Sequence, residues 1–162
     1  MRRFSLLLIL LLSACGFKPS NVIELSQSQQ PFTVLSKDPY SNLADNIERA
    51  LSASGVRIAK AGEPSNTINI SNELNDTRPL SLDQNAQVRE FVSRYQVTYS
   101  LTDVQGATLI DNQVVELRRE FTYDESSSVG NPAEVALLKR EMQTEMIKSI
   151  LRRTSVVLQL QK

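Results

Sequence analysis

From Thr67 to Tyr123 apolar and polar side chains alternate with a period of two, and on either side of that stretch the period lengthens to that of a helix. Phe91, Tyr95, Val97, Tyr99 and Leu101 fall on one face of a strand, with Arg94, Gln96, Thr98 and Ser100 on the other. Upstream, Ile68, Ile70, Leu74, Leu80 and Leu82 occupy even positions, interrupted by Asn72, Asp76 and Arg78. Pro79 has no N–H to give to a ladder, so it predicts an edge position or a bulge. After a Gln105-Gly106 turn the chain returns through Leu109, Val115, Leu117, Phe121 and Tyr123. Together these segments predict an antiparallel meander with one buried face. Its Tyr and Phe stripe could serve as a ligand platform, but at strand spacing it reads as core.

The flanking segments complete the pattern. Phe32 to Ser36 reads as a short strand. Asp38-Pro39 predicts an N-cap followed by proline at the first helical position. Leu43, Ile47 and Leu51 then recur every four residues beside Ala44 and Ala50, and Gly55 supplies the stop, which predicts an amphipathic helix of about four turns. Val56 to Ala59 is a candidate second short strand before Gly62 and Pro64. At the other end Asn131, Pro132 and Glu134 predict a capped start to a last helix. Val135, Leu138, Met142, Met146, Ile147, Ile150, Leu151, Thr154 and Leu158 form one stripe along it. From Pro132 to about Leu158 it would be ~40 Å long. The expected architecture is α+β: a two-layer sandwich, order β-α-β-β-β-α, with about four strands in a mostly antiparallel or mixed sheet and both helices on one face. Residues 31–162 read as a single domain.

The amino terminus follows different rules. Arg2 and Arg3 precede an apolar run from Phe4 to Leu12, and Leu12-Ser13-Ala14-Cys15 ends it. Nine apolar residues fall well short of the about 20 that span a bilayer. A positive n-region, a short h-region and small residues make a secretory signal, and the cysteine at its end resembles a bacterial lipobox. That resemblance implies cleavage after residue 14 and attachment of diacylglycerol and an N-acyl chain to Cys15, with 15–30 as lipidated tether. Gly16 stands where an aspartate would imply retention in the inner membrane, so the chain resembles lipoproteins sent to the outer membrane. Several acyl chains suffice for stable anchoring, at about 0.8 kcal/mol per buried methylene.

Composition removes most alternatives. Of 162 residues, 18 are basic and 18 acidic, and loss of Arg2 and Arg3 leaves 16 basic. Such a balance gives no polycationic footprint, so nucleic acid is not an expected partner. The chain has no histidine, and its sole cysteine is assigned to lipid. Histidine-dependent triads and Cys/His zinc sites are therefore excluded. Only five glycines are present, and neither phosphate-cradling nor dinucleotide fingerprints occur. The adjacent acids Asp124 and Glu125 precede a serine run and read as a solvated loop rather than a converging acid/base pair. No enzyme activity, metal or cofactor beyond the covalent lipid is expected.

Several segments, taken in order, resemble the LptE family of lipopolysaccharide-assembly lipoproteins. They are the lipobox with Gly16-Phe17, Asp38-Pro39 with Leu51 and Gly55-Val56, and Arg94-Tyr95-Gln96-Val97. The Asp103 to Gly106 turn with Leu109, Arg119 before Phe121-Tyr123-Asp124, Glu134, Glu141-Met142 and Ile150-Leu151-Arg152-Arg153 extend the likeness over nearly the whole mature chain. The resemblance implies a non-catalytic plug in the lumen of the LptD β-barrel that helps the barrel assemble and binds lipopolysaccharide on its way to the cell surface. Lipopolysaccharide carries phosphates and carboxylates, which suit the guanidinium fork. Candidate contacts are Arg78, Arg89 and Arg94 around the Asp83–Gln87 connection, with Arg118 and Arg119; each also reads as a strand residue on a solvated face. The family carries basic residues linked to lipopolysaccharide near the start of its last helix, and this chain departs from that pattern, because residues 124–134 contain neither Lys nor Arg. The alternative function is a lipid-anchored periplasmic module binding a small ligand or glycan in an apolar pocket.

Overall fold

The computed structural model describes residues 30–82, 84, 88–122 and 131–161. The lipobox, the tether up to residue 29, the Asp124–Glu125 pair and most of the Asp83–Gln87 connection lie outside the described residues, as do the side chains of Arg89, Asn131 and Pro132. The element order is β1 (Phe32–Ser36), α1 (Leu43–Ala53), β2 (Asn66–Leu82), β3 (Val88–Thr102), β4 (Thr108–Thr122) and α2 (Asn131–Gln159). The four strands form one sheet in the order β1-β2-β3-β4. β1 runs parallel to β2, from Phe32 opposite Asn66 to Ser36 opposite Ile70, whereas the β2–β3 and β3–β4 pairs are antiparallel. The sheet is therefore mixed, and the expected α+β two-layer arrangement holds.

Alternation decides which face is covered. Ser93, Tyr95, Val97, Tyr99 and Leu101 on β3 are all buried, while the even-numbered residues between them are half-buried. Both helices contribute to the same core: Leu43, Ile47 and Leu51 from α1, and Met142, Met146, Ile150 and Leu151 from α2. Ile68 and Ile70 of β2 and Val115 of β4 complete it from the sheet. Each large aliphatic side chain so buried contributes about 1.5–3 kcal/mol. α2 has 29 residues, about 43 Å at 1.5 Å per residue, in line with the stripe.

The helix starts and stops differ in how well local chemistry anticipated them. α1 begins at Leu43 rather than at Pro39. Asp38 instead closes a turn, its carboxylate accepting from the Tyr40 N–H at 2.9 Å. Ser41 then accepts from the Leu43 N–H at 3.0 Å, ahead of Asn42, whose side chain makes no cap. An aspartate that can bond its own backbone two residues on favours a turn over helix continuation. The stop is as expected. Gly55 lies at φ 81°, its N–H reaches Ser52 O at 3.0 Å, and the Val56 N–H reaches Leu51 O at 3.0 Å. That is a Schellman closure, with Val56 and Leu51 both buried. Val56–Ala59 makes a single bridge, Ile58 beside Phe32, rather than a strand.

Two register shifts correct the simple alternation. Between Ile70 and Asn72 the ladder accommodates Ser71 as an extra residue. The chain beyond it swaps faces, because one added residue inverts a period of two. Leu74 therefore lies opposite Gln96 on the uncovered face, and Glu73 lies opposite Val97 on the helix side. In β4 a shift between Tyr99 and Leu101 places Ile110, not Leu109, opposite Leu101, with Asn112 at φ 40°. Asparagine is among the residues that tolerate that region. Pro79 sits where β2 has outrun β1 and next to a further shift, so it occupies both an edge and an irregularity.

The inverted Glu73 becomes useful. The Tyr95 hydroxyl donates to its Oε1 at 2.6 Å, and the Ser41 hydroxyl donates to Oε2. Burial, reinforced by the neighbouring Glu73 carboxylate, pushes the Tyr95 hydroxyl far above its usual range, with Gln143 of α2 reaching the same group. Tyr99 is equally buried, but its hydroxyl has no hydrogen-bond partner among the described residues. The two tyrosines should thus respond oppositely. Tyr95→Phe is expected to destabilise by about 1.5–3 kcal/mol, since it removes a hydrogen bond to a charged group, whereas Tyr99→Phe should be neutral or stabilising. Urea unfolding of the two variants checks the sign. Gly55→Ala should cost about 1–2 kcal/mol from backbone conformation alone, because nothing lies within 4 Å of an added Cβ; the same unfolding measurement reads it.

Candidate functional site

The face of the sheet away from the helices carries the candidate site. Period two puts Asp76 and Arg78 on one side of β2, and Glu116 and Arg118 on one side of β4. Register then aligns them: Asp76 opposes Arg94, Arg94 opposes Arg118, and Arg78 opposes Val92. The uncovered face therefore presents a row Asp76–Arg94–Arg118 across three strands. Asp76, Arg78, Val92, Arg94 and Arg118 line a hollow of about 160 Å³.

The ion pairs are unequal. Arg78 Nε meets Asp76 Oδ2 at 2.7 Å. Arg94 faces the same carboxylate with a fork, Nε to Oδ1 at 3.3 Å and Nη2 to Oδ2 at 3.4 Å. Charge-assisted N–H···O contacts usually close to about 2.7–2.9 Å, so the Arg94 fork is loosely engaged. Arg118 Nε donates to Glu116 Oε1 at 2.6 Å. The hydrogen bond from Arg94, with Arg78 adding a second, holds the Asp76 carboxyl below its ordinary value. With carboxylates half-buried and Arg78 and Arg118 mostly exposed, these surface pairs contribute little to stability.

Of the five arginine candidates, the structure brings Arg78, Arg94 and Arg118 together and separates Arg119 from them. Arg119 pairs opposite Ser93, on the helix side, and its guanidinium contacts Glu145 of α2. Arg89 belongs to β3, but its side chain lies outside the described residues. Sequence reasoning passed over Asp76, Val92 and Glu116. The i, i+2 spacing of Asp76 with Arg78 and of Glu116 with Arg118 is a legible same-face signal, but the opposition of Arg94 and Arg118 needs the register.

A second hollow, of about 280 Å³, lies where β1 ends, lined by Ser36, Lys37, Asp38, Ile70, Ser71, Asn72 and Glu73. Both fall below the roughly 300–1,000 Å³ of typical small-molecule pockets. Among the described residues no group of three metal-ligating side chains converges, and no helix is long and apolar enough to cross a membrane.

A family model for lipopolysaccharide assembly, LptE, matches residues 30–154. The chain belongs to the LptE family. It is thereby a lipopolysaccharide-assembly lipoprotein of the outer membrane, from a family that is not enzymatic. Its fold is similar to the solution structure of a lipoprotein B from Nitrosomonas europaea, with 26% identity, a TM-score of 0.72, and 89% of this chain and 93% of that one covered. The crystal structure of a rare lipoprotein B from Shewanella oneidensis aligns with a TM-score of 0.69 at 21% identity, covering 82% of this chain and 99% of that one. A minor lipoprotein from Acinetobacter baumannii has a TM-score of 0.63 at 17% identity, covering 78% and 91%. No match was found among curated protein sequences.

The depressed Asp76 value carries a pH consequence. A carboxyl whose folded pKa lies below its unfolded one stabilises above the unfolded value and loses that contribution as pH falls through the folded one. Wild type and Asp76→Asn should therefore differ slightly in urea midpoint near neutrality and converge on acidification below pH 4, the region of the ordinary aspartate value.

Proposed function

We propose that this chain is held by lipid on Cys15 in the inner leaflet of the outer membrane, plugs an LptD-type β-barrel, assists its assembly, and binds lipopolysaccharide during delivery to the surface. The observation that carries the reading is the family match across nearly the whole folded region, residues 30–154. A domain with one polar, uncovered sheet face suits a polar barrel lumen, and large barrels are filled by separate elements. The Leu12–Cys15 motif provides the tether, Gly16 the sorting context, and residues 31–162 the single domain. The arginine candidates supply donors for phosphate and carboxylate groups.

Two measurements test this. Intact mass of the protein purified from membranes should show residues 1–14 removed and acyl chains on the new amino terminus; an uncleaved, unmodified chain would overturn the anchoring. Affinity purification from detergent-solubilised outer membrane should recover an LptD-type barrel in stoichiometric amount, and depletion in the host should reduce lipopolysaccharide at the surface. Recovery without the barrel, or normal surface display on depletion, would overturn the assembly role.

A further inference from the structure

Arg94 and Arg118 stand directly opposite on neighbouring strands and share one face. Like charges so placed destabilise a sheet, by roughly the 0.2–1 kcal/mol that opposite charges would add. The acids beside them do not enter the gap. Asp76 approaches Arg94 from β2, and Glu116 holds Arg118 along β4 by its Nε alone. Glu120, two residues along β4, makes no hydrogen bond to either arginine among the described residues. The Arg118 Nη groups and Arg94 Nη1 make no hydrogen bond among the described residues, and the side chain of Val92 in the same hollow offers no competing acceptor.

We propose that the gap between Arg94 and Arg118 is a seat for a phosphate monoester of a glycolipid headgroup, in which Asp76 and Glu116 are resident carboxylates that the phosphate displaces in part. This rests on the lipopolysaccharide-binding reading and narrows it to one pair of the five arginines. Phosphate is favoured over a carboxylate because its three terminal oxygens can accept from both forks at once, with Arg78 beside them. The two acids keep the empty face near neutral, so occupancy is an exchange of one anion for another. Arg94, whose contacts to Asp76 are long, is the fork most easily redirected.

The full-length lipidated protein in detergent is titrated with a bisphosphorylated glycolipid, its enzymatically dephosphorylated counterpart, and inorganic phosphate. Arg94→Gln and Arg118→Gln should each weaken binding of the phosphorylated glycolipid by about tenfold, equivalent to loss of one charge-assisted contact. Arg94→Lys, which keeps the charge but not the fork, should fall between them and wild type. Asp76→Asn should tighten binding severalfold, while Glu141→Gln, the same charge change at an exposed site on α2, should not. Circular dichroism confirms the fold of each variant. Equal binding of the dephosphorylated glycolipid, or equal tightening by Glu141→Gln, would reduce the effect to diffuse attraction and overturn the seat. So would inorganic phosphate binding as tightly as the glycolipid, or arginine variants that lose the barrel yet keep the glycolipid. If wild type binds no glycolipid, the broader lipopolysaccharide reading falls with it. If it binds and both glutamine variants match it, only the seat falls.

Discussion

One-sided burial is the constraint on which the molecule depends. Met142, Met146, Ile150 and Leu151 of α2 and Leu43, Ile47 and Leu51 of α1 close over the same side of the sheet, meeting Ile68, Ile70, Tyr95, Val97, Tyr99, Leu101 and Val115. Apolar area withdrawn from water on that side is the dominant stabilising contribution. The opposite side, which no described element covers, is mostly polar, with Leu74, Val92 and Val114 set among its charged and amide side chains. The uncovered face is consequently where the charged side chains Asp76, Arg94 and Arg118 line up, without the cost of a fully buried ion.

The strands outrun their cover. β1 contributes five residues and stops at Ser36 opposite Ile70, whereas β2 continues for twelve more, to Leu82. Beyond Ile70 the ladder bulges at Ser71, and it shifts again around Ser81 next to Pro79. Bulges and proline are ways of blunting an edge against indiscriminate pairing. The Ser71 bulge also has a constructive effect. By swapping faces it brings Glu73 to Tyr95 and Ser41 on the covered side, while carrying Asp76 and Arg78 to the uncovered side beside Arg94. Without that single added residue, the acid that engages Arg94 would face the helices.

Most of the fold was legible. The Leu43, Ile47 and Leu51 spacing, the Met142 to Leu151 stripe and the odd-numbered run from Tyr95 to Leu101 all reflect side-chain periods that the backbone imposes wherever it is helical or extended. The Gly55 stop was legible because only glycine adopts a positive φ without a Cβ penalty. Asp38-Pro39 misled, since an aspartate that caps a helix equally well closes a turn. Leu74 misled because a bulge has no signature in a period of two until the partner strand is known, whereas Leu109 packs against the core as expected although Ile110 takes the place opposite Leu101. Within the site, Arg78, Arg94 and Arg118 were visible as candidates, but nothing local distinguished them from Arg119, one residue away and on the other face.

The sequence by itself determined the periods, the stops and the composition, and through them an α+β sandwich without histidine chemistry. These are properties of single segments and need no partner. Tertiary structure alone decided the register: that Arg94 lies opposite Arg118, that Asp76 reaches both Arg78 and Arg94, and that Glu73 turns inward. The reason is physical. A strand's neighbour is chosen by burial of the whole sheet face beneath the helices, so the partner of any one residue is set by side chains far from it in the chain.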